Sequence, residues 1–119
     1  DIYNEAFKNL EGVILQKNPD YSGTVNHLYV LRLDLPKLKA DRRKILEALQ
    51  AENIGVFVHY IPVYWHPYYQ RLGYKKGLCP KAEELYNSIL TVPLFPAMTD
   101  EDVEDVIDGF YKIVNYYRK

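Results

Sequence analysis

Cysteine is almost missing from this 119-residue chain, which has only Cys79. A lone cysteine cannot close an internal disulfide, so the fold does not rely on one. That fits a reducing compartment and sets the expectation of a cytoplasmic protein. An excess of charge is missing too: 15 Lys and Arg stand against 16 Asp and Glu, for a formal net charge of −1. With no basic stripe along the chain, nucleic acid is not an expected partner. No apolar run is long enough to span a membrane and none has the layout of a signal peptide, so a soluble domain without membrane association is expected. Also absent are a Gly-rich phosphate loop, a Ser nucleophile elbow and a paired-carboxylate motif, which removes the usual sequence signs of those chemistries. His59, His66 and Cys79 match no standard zinc spacing, and no fourth ligand clusters with them, so no metal is expected.

What is there suits one globular domain. The chain is 48% apolar and 26% charged, ordinary values for a packed fold. A chain of this length buries about two-thirds of its unfolded surface. It begins at Asp1, and Ile2, Ala6 and Leu10 follow at helical spacing with no cap ahead of them. Residues 1–10 therefore read as the end of a helix, and the expectation is a piece of a longer protein.

Punctuation then divides the chain. Gly12 to Leu15 reads as a short strand, and Asn18 to Gly23 as a turn-rich loop. Val25 to Asp34 is the clearest strand; its apolar residues occupy both parities, which predicts cover on both faces. Asp41 caps a helix to about Asn53 with Ile45, Leu46 and Leu49 inward and Arg42, Arg43 and Lys44 solvated. Asn53 and Gly55 both tolerate the positive φ of a helix exit. Val56 to Tyr60 is a second strand ended by Pro62. Beyond an irregular stretch with one helical turn at 67–72, Pro80 opens a helix with Ala82, Leu85, Tyr86 and Ile89 as its stripe. Leu90 to Leu94 is a third strand, and Pro93 marks an edge or an end. Thr99 caps a last helix, with acids in its first turn and Val103, Val106, Ile107, Phe110, Val114 and Tyr117 on one face. The acidic run from Asp100 reads as that helix start. The sum is an α+β domain, a small sheet with helices packed against it.

The chemistry-bearing stretch is Val56 to Tyr74, which holds His59, His66, the only tryptophan (Trp65) and five tyrosines. His59 and Tyr60 stand where a strand gives way to a loop, a place that presents polar groups from a rigid base. From the residues alone the aromatics divide between packing against another domain or subunit and stacking on a ligand, and tyrosine suits both. His59 is equally open: proton shuttle, hydrogen-bond donor to a substrate, or a satisfied structural histidine. Cys79, just before a helical proline, lacks a histidine–acid arrangement and reads as structural.

Several segments in order resemble the C-terminal domain of the DegT/DnrJ/EryC1/StrS family. They are His27-Leu28-Tyr29-Val30; Asn53-Ile54-Gly55 with Val58-His59-Tyr60-Ile61-Pro62-Val63; Pro67-Tyr68-Tyr69; Leu72-Gly73-Tyr74; Pro80-Lys81-Ala82-Glu83; Val92-Pro93-Leu94-Phe95-Pro96; and Thr99-Asp100-Glu101-Asp102-Val103. Within the family, His59 to Tyr74 and Gly77-Leu78-Cys79-Pro80 are most similar to transaminases making UDP-4-amino-4,6-dideoxy-N-acetyl-β-L-altrosamine and to spore-coat polysaccharide aminotransferases.

The resemblance implies that residues 1–119 are the small C-terminal domain of an aspartate-aminotransferase-like, fold type I enzyme, with a mainly antiparallel sheet. The parent would use PLP to move an amino group, from glutamate, onto a nucleotide-linked 4-keto-6-deoxy sugar for surface or spore-coat polysaccharide. The Schiff-base lysine would lie in the N-terminal PLP domain, so this piece alone would be inactive and bind no PLP. The parent would be a homodimer. Residues 61–79 would be the loop beside the active site, His59 and Tyr60 would face the substrate, and His66 and Tyr68 would be further substrate-binding residues. Where the family often has a histidine this chain has Tyr64, which puts a catalytic role there in doubt. The competing reading is an autonomous α+β module that binds a sugar or nucleotide, or docks a partner, without catalysis.

Overall fold

The protein is described by a computed structural model covering residues 1–25 and 27–119. Three short strands form one antiparallel sheet: β1 (Val13–Leu15), β2 (Tyr29–Leu33) and β3 (Ile89–Val92), in the order β1-β2-β3. Leu15 lies opposite Leu31, and Leu31 in turn opposite Leu90. Among the described residues there are five α-helices: α1 (Ile2–Phe7), α2 (Arg42–Ala51), α3 (Pro67–Arg71), α4 (Pro80–Ser88) and α5 (Asp100–Tyr117). The expected α+β class is observed, with the antiparallel pairing that the resemblance implied.

One face of the sheet is sealed. Leu31 and Leu33 point into a core with Phe7 of α1, Ile45 and Leu49 of α2, and Phe110 and Val114 of α5, all at most 1% exposed. Alternation explains this, since residues two apart on a strand share a face. On the opposite parity Val30 and Arg32 are only half-buried, with α4 beside them. The expected double cover of β2 is therefore half right. Its expected start was also early: β2 begins at Tyr29, and Asn26 lies outside the described residues.

The caps are as the residue types dictate. Asp41 Oδ1 accepts from the Lys44 N–H at 2.8 Å, and Asn53 takes the left-handed exit at φ 64°. Thr99 and Asp102 form a reciprocal capping box at the start of α5. Close packing replaces a side chain at Gly109 of α5, where a Cβ would stand 2.0 Å from Ile54 Cδ1.

Three expectations are corrected. Val56 to Tyr60 is not a full strand: Phe57 makes one antiparallel bridge to Thr91, with N–O distances of 3.2 and 2.8 Å. The segment leaves the edge of β3 before Pro62, whose nitrogen has no hydrogen to extend a ladder. The stripe of α4 is not buried either. Ala82 and Leu85 are not part of the buried core, Leu85 being 48% exposed, and Ile89 belongs to β3 instead. Of that stripe Tyr86 is half-buried, with Trp65 and Arg42 against its ring. Arg42 is half-buried with its guanidinium 5.1 Å from the Tyr86 ring centre, so it is not a solvated residue like Arg43 and Lys44. Among the described residues, no helix is long and apolar enough to cross a membrane.

Candidate functional site

The site is built outward from Thr91, a buried polar residue in the otherwise apolar strand β3. Its backbone N–H and carbonyl are both taken by Phe57. Its hydroxyl lies 3.0 Å from His59 Nδ1. The strand thus fixes the peptide of Phe57 and the ring of His59 two residues further on. With Nδ1 engaged, Nε2 is the ring nitrogen left without a partner among the described residues. Either tautomer then leaves one hydrogen-bonding atom for a ligand, a donor or an acceptor.

His59 is half-buried and lines two grooves. The larger, about 880 Å³, runs between Phe57, Pro93 and Met98 on one side and the α5 residues Asp102, Asp105 and Gly109 on the other. The smaller, about 450 Å³, runs past Ile14, Val30, Arg32 and Leu85. Tyr60 stands beside His59, ring edge to ring face at 4.6 Å, and is 69% exposed. The His59–Tyr60 peptide bond is cis. The ring contact makes His59 and Tyr60 one adjacent pair, with His59 lining both grooves.

The loop from Ile61 to Cys79 is organised separately. A 3-10 turn over Val63–Trp65 leads into α3, whose first residue is Pro67. Tyr64 donates to Glu83 Oε1 at 2.5 Å, the Gly77 N–H donates to the same oxygen at 2.6 Å, and Trp65 Nε1 lies 3.4 Å from it. Tyr64's hydroxyl first, then the Gly77 N–H, Trp65 and Lys76, hold the Glu83 carboxyl below the usual range against a partial desolvation. Loss of water and then the bond to Glu83 push the Tyr64 phenol up.

His66 and Tyr68 lie on this loop, both exposed. His66 precedes α3, where its carbonyl accepts from Gln70, and Tyr68 stacks edge-on against Tyr69 at 5.3 Å. Neither lines the grooves of His59. The structure therefore brings His59 and Tyr60 together and leaves His66 and Tyr68 apart from them. Sequence reasoning missed Thr91 and Glu83. A threonine inside an apolar strand was the available signal for the first. Nothing local marks Glu83, because its partners are 6 to 19 residues away. Cys79 is exposed, so it is not a packing residue. It is the backbone N–H of Cys79 that meets Tyr64 Oη, at 3.3 Å.

Comparison with known proteins bears on this arrangement. The DegT/DnrJ/EryC1/StrS aminotransferase family model matches residues 1–111. An uncharacterized protein of Methanocaldococcus jannaschii is 44% identical over 98% of this chain and 31% of its own length. The spore coat polysaccharide biosynthesis protein SpsC of Bacillus subtilis is 43% identical over 94% of this chain and 29% of its own. Among solved structures, the PMP form of the putative sugar aminotransferase Spr1654 of Streptococcus pneumoniae superposes with a TM-score of 0.85 at 25% identity, covering 96% of this chain and 28% of that one. The chain spans about three-tenths of the length of these relatives. With the family's pattern running from its first residue into its last helix, this chain belongs to the DegT/DnrJ/EryC1/StrS aminotransferase family.

Proposed function

We propose that the chain is the small domain of a PLP-dependent sugar aminotransferase and supplies the wall of the cleft that meets the sugar substrate. The observation that carries this is the His59–Tyr60 pair. His59 is oriented from inside by buried Thr91, its Nε2 is left over, and exposed Tyr60 is at its side. A residue held that firmly on one nitrogen and left open on the other is suited to hydrogen-bond a polyhydroxy ligand, while the tyrosine adds a flat face and a phenol. The proposed substrate is a nucleotide-linked 4-keto-6-deoxy sugar, with glutamate as amino donor, in a cytoplasmic homodimer. SpsC's name favours polysaccharide biosynthesis as the setting.

The residues present do not themselves fit PLP. Lys112 is the lysine along the larger groove, and its ammonium donates to Glu52 at 2.6 Å. Asp102, Asp105 and Asp108 line the same groove, where they would repel a phosphate. In this reading the cofactor and its lysine reside in the remainder of the parent protein, and this chain orients substrate. The test is His59→Ala in the full-length protein, assayed with a UDP-linked 4-keto-6-deoxy-N-acetylhexosamine. The expected result is a fall of about tenfold in kcat/KM for the sugar, the size of one lost hydrogen bond, with PLP content retained. Loss of PLP with unaltered sugar kinetics would refute the assignment.

A further inference from the structure

The loop between Ile61 and Cys79 has little buried surface to hold it. Val63, Tyr68 and Leu72 are each 60% exposed and Leu78 is 55% exposed. Its aromatic middle forms one piece, since Tyr69 packs edge-on against Tyr68 at 5.3 Å and against Tyr74 at 6.1 Å. The side-chain bonds from the loop to α4 meet on one carboxylate oxygen. Tyr64 and Trp65 at the loop's start and Gly77 near its end all converge on Glu83 Oε1. Lys76 closes the arrangement with its ammonium 4.3 Å from the centre of the Trp65 ring, and Trp65 packs edge-on against Tyr86 of α4 at 5.3 Å. The next residue of α4, Glu84, forms an ion pair with Arg32 of β2, and Arg32 lines a groove together with His59. Polar contacts therefore tie the loop to α4 and α4 to β2, whose Arg32 shares a groove with His59.

We propose that Glu83 is a positioning residue for substrate binding: by clamping both ends of the Ile61–Cys79 loop onto α4, it sets where Tyr68 and its neighbours stand relative to His59 and Tyr60. This rests on the sugar-facing reading of that wall. A charged acceptor makes stronger bonds than a neutral one, and three donors on one atom concentrate the polar part of the clamp on a single side chain. Any effect should appear in substrate affinity, because Glu83 acts through the loop and not on the reacting atoms.

Trp65 is the only tryptophan of the chain and sits in the clamp, so it reports on it. The experiment uses the full-length protein with PLP bound. Trp65 emission is isolated as the difference from a Trp65→Phe variant, and the kinetics use the same UDP-linked keto sugar. Glu83→Ala should shift Trp65 emission to the red and raise KM for the sugar about tenfold with kcat within about threefold. Glu83→Gln keeps an oxygen acceptor without the charge and should give an intermediate change in both. Tyr64→Phe, which leaves the carboxylate in place, should give a smaller shift of the same kind and guards against misfolding of the alanine variant. Unchanged emission in Glu83→Ala would overturn the clamp. Shifted emission with unchanged KM, or a fall confined to kcat, would overturn the positioning role. If that happens while His59→Ala still impairs sugar turnover, the sugar-facing reading survives; if neither variant affects the sugar, that reading fails as well.

Discussion

Gly109 allows a prediction whose sign can be reversed by a second substitution. An alanine Cβ at this position would lie 2.0 Å from Ile54 Cδ1 and 3.4 Å from Ile54 Cγ1. Carbon atoms pack at about 3.5–4.0 Å, so the δ-methyl must move by roughly 1.5 Å. Ile54 is 7% exposed and lines the larger groove, so the methyl moves either against the core or into that groove. Overpacking of this kind costs about 1–3 kcal/mol. Against it stands the helix preference for alanine over glycine, about 1 kcal/mol in a helix interior. Gly109→Ala alone should therefore destabilise the chain by up to about 2 kcal/mol. Ile54→Val removes the clashing methyl and by itself costs about 1 kcal/mol. In the Ile54→Val background the same alanine meets only the 3.4 Å neighbour, and it should stabilise by up to about 1 kcal/mol. Urea unfolding of the four proteins gives the coupling directly, read from midpoints at constant m. An alanine effect of equal sign and size in both backgrounds would refute the claim that close approach of Ile54 is why residue 109 is glycine.

Two further tests concern stability and pH. Thr99→Ala removes the side-chain half of the capping box and should lower the unfolding free energy by about 1 kcal/mol at neutral pH, measured by urea melts. The partner Asp102 is held below the usual carboxylate range by the backbone N–H of Thr99 first and its hydroxyl second. Its contribution is therefore complete above the ordinary range and is lost as pH falls through its lowered pKa. The stability gap between the chain and Asp102→Asn should close in acid; a gap that persists there would contradict the capping role. At the other end of the scale, Tyr3 donates to the Pro93 carbonyl at 3.0 Å, and burial, followed by the charges of Tyr29 and Asp102, pushes its phenol up to about 12. A phenol raised from 10.0 contributes stability that is full below pH 10 and lost between about 10 and 12. Tyr3→Phe should cost about 1 kcal/mol at pH 7 and flatten that alkaline loss, followed by thermal melts across roughly pH 9 to 12.

The elements legible from the residues are those whose signal is local. Asp41 and Thr99 announce helix starts, Asn53 an exit, and Pro93 the end of a strand, because each acts on backbone groups within four residues of itself. The stripe of α5 was legible for the same reason: its period repeats along a single helix. The strand expected at Val56 to Tyr60 failed because composition says what can form a strand and not whether a partner edge continues beside it. The stripe of α4 failed at Leu85 and Ala82 because they are apolar at helical spacing whether or not this chain covers them. Arg42 was assigned to solvent from its type, whereas the ring of Tyr86, far along the chain, gives it a partner.

The sequence by itself determined where the capped helices begin and that the class is α+β, and it directed attention to Val56 to Tyr74, although Thr91 and Glu83 lie outside that stretch. It also carried, through ordered short segments, the family to which the chain belongs. Only the tertiary structure decided which of those residues act together. Thr91 orients His59 across 32 positions, Glu83 gathers Tyr64, Trp65 and Gly77, and His66 and Tyr68 are left apart from the His59–Tyr60 pair. Those contacts depend on how β3 and α4 are placed in space, and no periodicity within one segment encodes the distance between two.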